Sequence, residues 1–318
     1  MGVWIALLSA ATFGTSGAMA KSLLSNGWTP AALVTVRVAG AAAILLVPAV
    51  VSMRGRWREL RQHAVAILSY GVAAVAGCQL AYFYAVTHLS VGVALLLEYL
   101  APVLIVGLLW ARHRQRPRRL TVAGVVLALG GLLLVLDVLG GVRISAVGVM
   151  WGLLAALGLV VYFTIAARDE NALPPLALAG GGLLVGSLVL AVAGIAGLVP
   201  MRFATADVEL VGRQVAWWIP VLELMLVAAA LAYVTGIVAA RLLGTKVASF
   251  VSLTEVLFAV VFAWILLGEL PRPVQLIGGL LIVAGVVAVR TDELRAPAPV
   301  AEPQTAEPRA TEPEPEPA

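Results

Sequence analysis

The chain has 318 residues, of which 62% are hydrophobic and only 12% charged, with a formal net charge of +4 and a mean hydropathy of +1.02. An ordinary soluble domain carries roughly 25% charged and 45–50% apolar residues, so this much apolar surface excludes a soluble globular protein. The acids gather near the C-terminus and leave the remainder distinctly basic; without a basic patch interleaved with aromatics, the charge points to loops facing anionic lipid rather than to nucleic acid.

Taken in chain order, apolar runs between breakers predict ten membrane spans, at about 3–20, 30–51, 64–87, 90–111, 119–137, 146–167, 174–199, 216–240, 246–268 and 273–290. The first run is followed by Ala18-Met19-Ala20, as in a signal peptide, but no basic stretch precedes it, so it reads as an uncleaved span. Pro30, Pro174-Pro175 and Pro273 suit first helical turns, where the missing amide hydrogen costs nothing. Spans three and four require a tight hairpin at Leu89-Ser90, and Pro102 is expected to kink span four, a candidate gating feature.

Arg54, Arg56, Arg58 and Arg61 follow span two, and Arg112, Arg114, Arg116, Arg118 and Arg119 follow span four, which assigns both loops to the cytoplasm. Ten spans then put both termini inside and leave Lys21, Arg143, Arg202, Arg213 and Arg272 outside. After Arg290 the composition becomes Pro/Glu/Ala-rich, and residues 291–318 read as a disordered cytoplasmic tail.

A shift of 154 positions pairs Val93-Ala94 with Val247-Ala248, Trp110 with Trp264, Pro117-Arg118 with Pro271-Arg272, Gly124 with Gly278 and Gly131 with Gly285. Residues 1–140 and 141–290 therefore form two five-helix repeats. Five spans reverse the direction of entry, which predicts an all-α membrane protein of inverted repeats. Arg112, Arg114 and Arg116 become Leu266, Gly268 and Leu270 in the second copy, as an outward-facing turn demands. Gly182 and Gly186, Gly130-Gly131 and Gly278-Gly279 favour close helix approach.

Few ionisable residues fall inside the spans: Arg37, Glu98, Glu223 and Glu255. Charges at that depth are costly and normally face the bundle interior, so these are the substrate and coupling candidates. Arg37 is expected to hold a substrate carboxylate or to pair with Glu98, in the extreme as a static ion pair, while Glu255 or Glu223 exchanges protons. Gln79, Tyr82, Tyr84, Tyr99, Tyr233, Ser252 and Thr254 are further hydrogen-bonding candidates. The lone cysteine, Cys78, permits neither an intrachain disulfide nor a cysteine metal cluster, and no cofactor or metal is implied.

Phe13-Gly14, Arg37, LLLEYLAPVLIVGLLW ending at Trp110 and the long stretch from Thr254 to Val287 together resemble the drug/metabolite transporter superfamily, in its EamA-type ten-helix form. Glu98-Tyr99 ahead of Ala101-Pro102 is similar to threonine/homoserine exporters of that superfamily. The resemblance implies a secondary transporter, an exporter of amino acids, other small metabolites or drug-like solutes, with protons as coupling partner. Val256 stands where the family commonly places a proline, and the first repeat lacks the Leu267-Gly268-Glu269 ending. Two other classes compete: a non-transporting receptor or assembly protein, and an intramembrane hydrolase suggested by Gly14-Thr15-Ser16-Gly17. The three histidines, His63, His88 and His113, lie at span ends, far from serving Ser16 as a base. Lipid and a small solute are the expected partners; the oligomeric state stays open, a dimer being one alternative.

Overall fold

The computed structural model describes residues 1–89, 91–113, 117–135, 145–168, 173–268, 270 and 272–295. Ser90 of the expected hairpin, Arg114, Arg116, Arg143, Glu269, Pro271 and the tail from residue 296 lie outside the described residues. The elements are α1 (Gly2–Ser25), α2 (Pro30–Ser52), α3 (Trp57–Gln62), α4 (Ala64–Ser69), α5 (Cys78–His88), α6 (Val91–Glu98), α7 (Ala101–His113), α8 (Arg119–Val135), α9 (Ala146–Ala166), α10 (Pro175–Ile195), α11 (Trp218–Met225), α12 (Ala232–Ser252), α13 (Thr254–Leu267) and α14 (Pro273–Leu294). Two π-helical segments, Tyr70–Gly77 and Leu226–Leu231, join α4 to α5 and α11 to α12, and strands β1 (Val208–Leu210) and β2 (Arg213–Val215) form a hairpin before α11.

Eight of the described helical stretches are long and apolar enough to cross a bilayer, and Arg119–Val135 and Thr254–Leu267 are shorter apolar helices. Proline opens α2, α10 and α14, and the Ser145 hydroxyl caps α9 by accepting the Gly148 amide at 3.4 Å. Gly268, at φ 72°, ends α13 in the left-handed conformation a β-carbon would oppose.

Several local features depart from the hydropathy pattern. Span four is broken rather than kinked: α6 stops at Glu98, Tyr99 and Leu100 turn, and α7 begins at Ala101. Pro102 thus sits in a first turn, where it disturbs no hydrogen bond. The expected loop between spans eight and nine is a single residue, Gly244, whose φ of 73° and ψ of 164° turn the chain within α12. A second interruption follows at Leu253, where the Leu253 amide bonds the Phe250 carbonyl and the Val256 amide bonds that of Leu253, a tighter i to i+3 pattern. This interruption lies 154 positions after Tyr99. At the other end of the chain, α14 continues to Leu294, so Asp292 and Glu293 are helical rather than part of a tail.

The seam between α8 and α14 is built from glycines. A β-carbon at Gly124 would meet the Gly285 carbonyl at 2.8 Å, and one at Gly131 would meet the Gly278 carbonyl. With sequence number rising along one helix and falling along the other, the two run antiparallel, backbone against backbone. Both ends of the seam are pinned: Gln275 Nε2 donates to the Val135 carbonyl at 2.9 Å, and Thr121 Oγ1 donates to Asp292 Oδ2 at 2.5 Å.

The segment carrying the hairpin folds over the turn between α1 and α2. Trp28 donates to the Ala204 carbonyl at 2.7 Å, the Thr29 amide bonds the Arg202 carbonyl at 3.1 Å, and the Val211 amide reaches the Leu266 carbonyl at 2.8 Å. The ends of α1 and α13, with Arg202 and Arg213, therefore share one end of the bundle.

Candidate functional site

Between the helices lies a cavity of about 1130 Å³. Its lining continues to Lys21, Leu270 and Arg272, all exposed, so it opens at the end of the bundle that carries the hairpin. At the opposite end the lining stops at Ala6, Ala239 and Ala248. Beyond them Leu243 and Val247 are packed into the main apolar core and close that face.

Arg37, two turns into α2, lines the cavity. Its guanidinium stands 5.8 Å from the Phe13 ring centroid and donates through Nη2 to the Ala228 carbonyl at 2.6 Å. Ala228 belongs to the second π-helical segment, where the wider winding takes carbonyls off the ordinary i to i+4 ladder and leaves one for an outside donor. Nε of Arg37 is buried without a hydrogen-bond partner among the described residues. Its Nη2 hydrogen bond runs to a backbone carbonyl rather than to Glu98.

The two helix interruptions deliver the carboxylates. Glu98 is the last residue of α6 and Glu255 lies in the first turn of α13, where the helix N-terminus favours an acid; both line the cavity. The Tyr99 side chain, at the first interruption, lies next to the Glu255 carboxylate beside the second. Cys78 Sγ lies 3.4 Å from Glu98 Oε1 and 3.3 Å from the Ala155 carbonyl. The site therefore offers a fixed cation on one wall and two acids on another, with neutral donors between them.

Gln79, Tyr82, Tyr99, Tyr233 and Ser252 also line the cavity. The Tyr162 ring lies 5.5 Å from that of Tyr70, tilted, and 5.9 Å from that of Tyr233, edge-on, its hydroxyl seated against the bare backbone of Gly236. Four candidates sit elsewhere. Glu223 lies between α11 and α1, accepting from Thr15 Oγ1 at 2.5 Å, outside the lining. Thr254 is buried and donates to the Val251 carbonyl at 2.7 Å. Pro102 heads α7 away from the lining. Tyr84 is likewise remote, stacked on Trp151 with centroids 5.0 Å apart. Cys78, Tyr162 and Phe163 join the wall unforeseen; nothing in their surrounding apolar sequence distinguishes them from packing residues.

Over residues 1–137 and 146–291 the sequence matches the EamA-like transporter family. The chain belongs to that family. It is a multi-pass membrane transporter of the inner membrane. A protein of Salmonella typhimurium (strain LT2) described as an uncharacterized inner membrane transporter, YicL, is similar at 22% identity, over 91% of this chain and 95% of that one. The fold is similar to a crystal structure of a protein 18% identical in sequence, with a TM-score of 0.74 over 93% of this chain and 99% of the other, a likeness of fold alone.

Proposed function

We propose that the protein is a proton-coupled secondary transporter that exports small metabolites such as amino acids, or drug-like solutes, through the cavity between its two halves. The observation that carries this is the meeting of Arg37, Glu98 and Glu255 in one large pocket open at a single end. Arg37, with its buried free Nε and its charge anchored on Ala228, binds a solute carboxylate. Glu98 and Glu255 exchange protons as the pocket changes sides, with Cys78 bonded to Glu98 and Tyr99 beside Glu255.

Ten spans in two inverted five-helix repeats, bounded near residues 140 and 290, give this pocket its two alternative openings. The glycine seam supports that symmetry. Under the 154-residue shift Gly124 becomes Gly278 and Gly131 becomes Gly285, so the contact of Gly124 with Gly285 turns into that of Gly278 with Gly131. A pair of contacts that exchange with each other is what a two-fold axis between two antiparallel helices produces. The equivalent interruptions at Tyr99 and Leu253 support it as well. With the arginine-rich loops and both termini cytoplasmic, the pocket here faces outward.

Purified protein in proteoliposomes, offered amino acids, purines and cationic drugs with and without a pH gradient, tests this directly. Flux of at least one class that rises with an opposing proton gradient is expected; the absence of flux for every class defeats the proposal.

A further inference from the structure

At the closed face, residues 245–252 form a short rod between two joints. One joint is Gly244, at φ 73° and ψ 164°, with open space where a β-carbon would stand; the other is the interruption at Leu253. The rod carries Val247, which helps plug the cavity, and Ala248, which lines it. For the pocket to reach this face, the rod has to move.

One polar side chain ties the rod to its neighbour. Lys246 forms an ion pair with Glu293, on the last turn of α14. That turn is itself anchored: Asp292, 4% exposed, accepts the Thr121 hydroxyl at 2.5 Å, and Arg118 reaches the Asp292 carbonyl at 3.5 Å. Together with the glycine seam, these bonds make α8 and α14 one rigid rib. Asp292 and Glu293 lie just past the residues that match the family, which end at 291.

We infer that Lys246 and Glu293 form a latch that holds the closed face shut, fastening the jointed rod to the α8–α14 rib. The opposite face has no counterpart at these positions, since Gly92 stands 154 residues before Lys246. The latch is therefore one-sided and biases the resting protein toward the opening seen here. It deepens the transport proposal, on which its role in flux rests; the ion pair itself can be tested with no solute present.

Deuterium uptake over residues 239–252 in nanodiscs is the first measurement. Lys246→Gln and Glu293→Gln should each speed exchange there by roughly two- to fivefold, the range a partly exposed ion pair supports, and the exchanged pair Lys246→Glu/Glu293→Lys should return it to wild type. Unchanged exchange in both single variants, or no recovery in the exchanged pair, overturns the latch. The second measurement oxidises a Lys246→Cys/Glu293→Cys variant in proteoliposomes and follows a ¹⁴C-labelled mixture of the twenty common amino acids, with each single-cysteine variant controlling for Cys78. Flux lost on oxidation and regained with reductant is expected; flux that survives cross-linking overturns the gating role. Wild-type protein that moves none of the panel offered above defeats the transport proposal instead, while the exchange data still decide whether the pair fastens the rod.

Discussion

Gly130 and Gly131 are adjacent on α8 and differ only in direction. A β-carbon at Gly130 meets no atom within 4 Å, whereas one at Gly131 meets the Gly278 carbonyl, the Ile282 amide at 2.7 Å and Ile282 Cγ1 at 2.9 Å. Both Gly→Ala changes gain the same intrinsic helix preference, about 0.8–1 kcal/mol. At Gly131 the obstructing atoms are mainly backbone and cannot rotate away, so α8 and α14 must separate, at an overpacking cost of about 1–3 kcal/mol. Separation also loosens the Gly124–Gly285 contact two turns away, which favours the upper end of that range. Gly131→Ala should therefore melt roughly 5–10 °C below Gly130→Ala, on a scale of about 2–4 °C per kcal/mol for large domains. Thermal unfolding in detergent, followed by fluorescence-detected size exclusion at one fixed heating protocol, reads the difference between the two variants. Equal melting temperatures would refute the backbone-to-backbone seam.

Thr121→Val should destabilise by about 1–3 kcal/mol because it strands a buried carboxyl at Asp292, while Thr121→Ser keeps the donor and stays near wild type; the same melting assay separates them. Gly244→Ala should cost about 1–3 kcal/mol through backbone strain alone, since nothing lies in the way of the added methyl; a variant as stable as wild type would contradict the turn at that residue. Arg37→Lys keeps the charge but loses the planar fork that binds Ala228 with one arm while the side chain lines the pocket, so KM for a carboxylate-bearing solute should rise roughly tenfold or more, with expression and melting unchanged.

Composition and hydropathy already identify a membrane protein, and the arginine clusters, the prolines at helix starts and the paired glycines of α8 and α14 stand out in the sequence because each reflects a local physical demand. Helix interruptions do not stand out. Leu95 to Val106 is apolar throughout apart from Glu98, so hydropathy reads the same whether the helix runs on or breaks at Tyr99. The π-helical segments leave no residue signature either, and with them the acceptor for Arg37 stays hidden. Depth along a helix can be counted from its end, which brings Arg37, Glu98 and Glu223 to similar levels; the direction in which each points depends on neighbours far away in sequence. Arg37 and Glu98 turn to the cavity, and Glu223 turns to Thr15. Asp292 and Glu293 are the plainest miss. Averaged with the proline-rich residues that follow, they look like solvated tail, whereas Thr121 and Lys246, 171 and 47 positions earlier, give them partners.

Proton movement coupled to solute decides the central proposal. With pyranine trapped in proteoliposomes, a transported solute should drive a pH change inside vesicles carrying wild-type protein, and Glu98→Gln and Glu255→Gln should each abolish that change while still inserting and melting as folded protein. Solute-driven proton movement persisting at the wild-type rate in both variants would contradict the assignment of these two carboxylates.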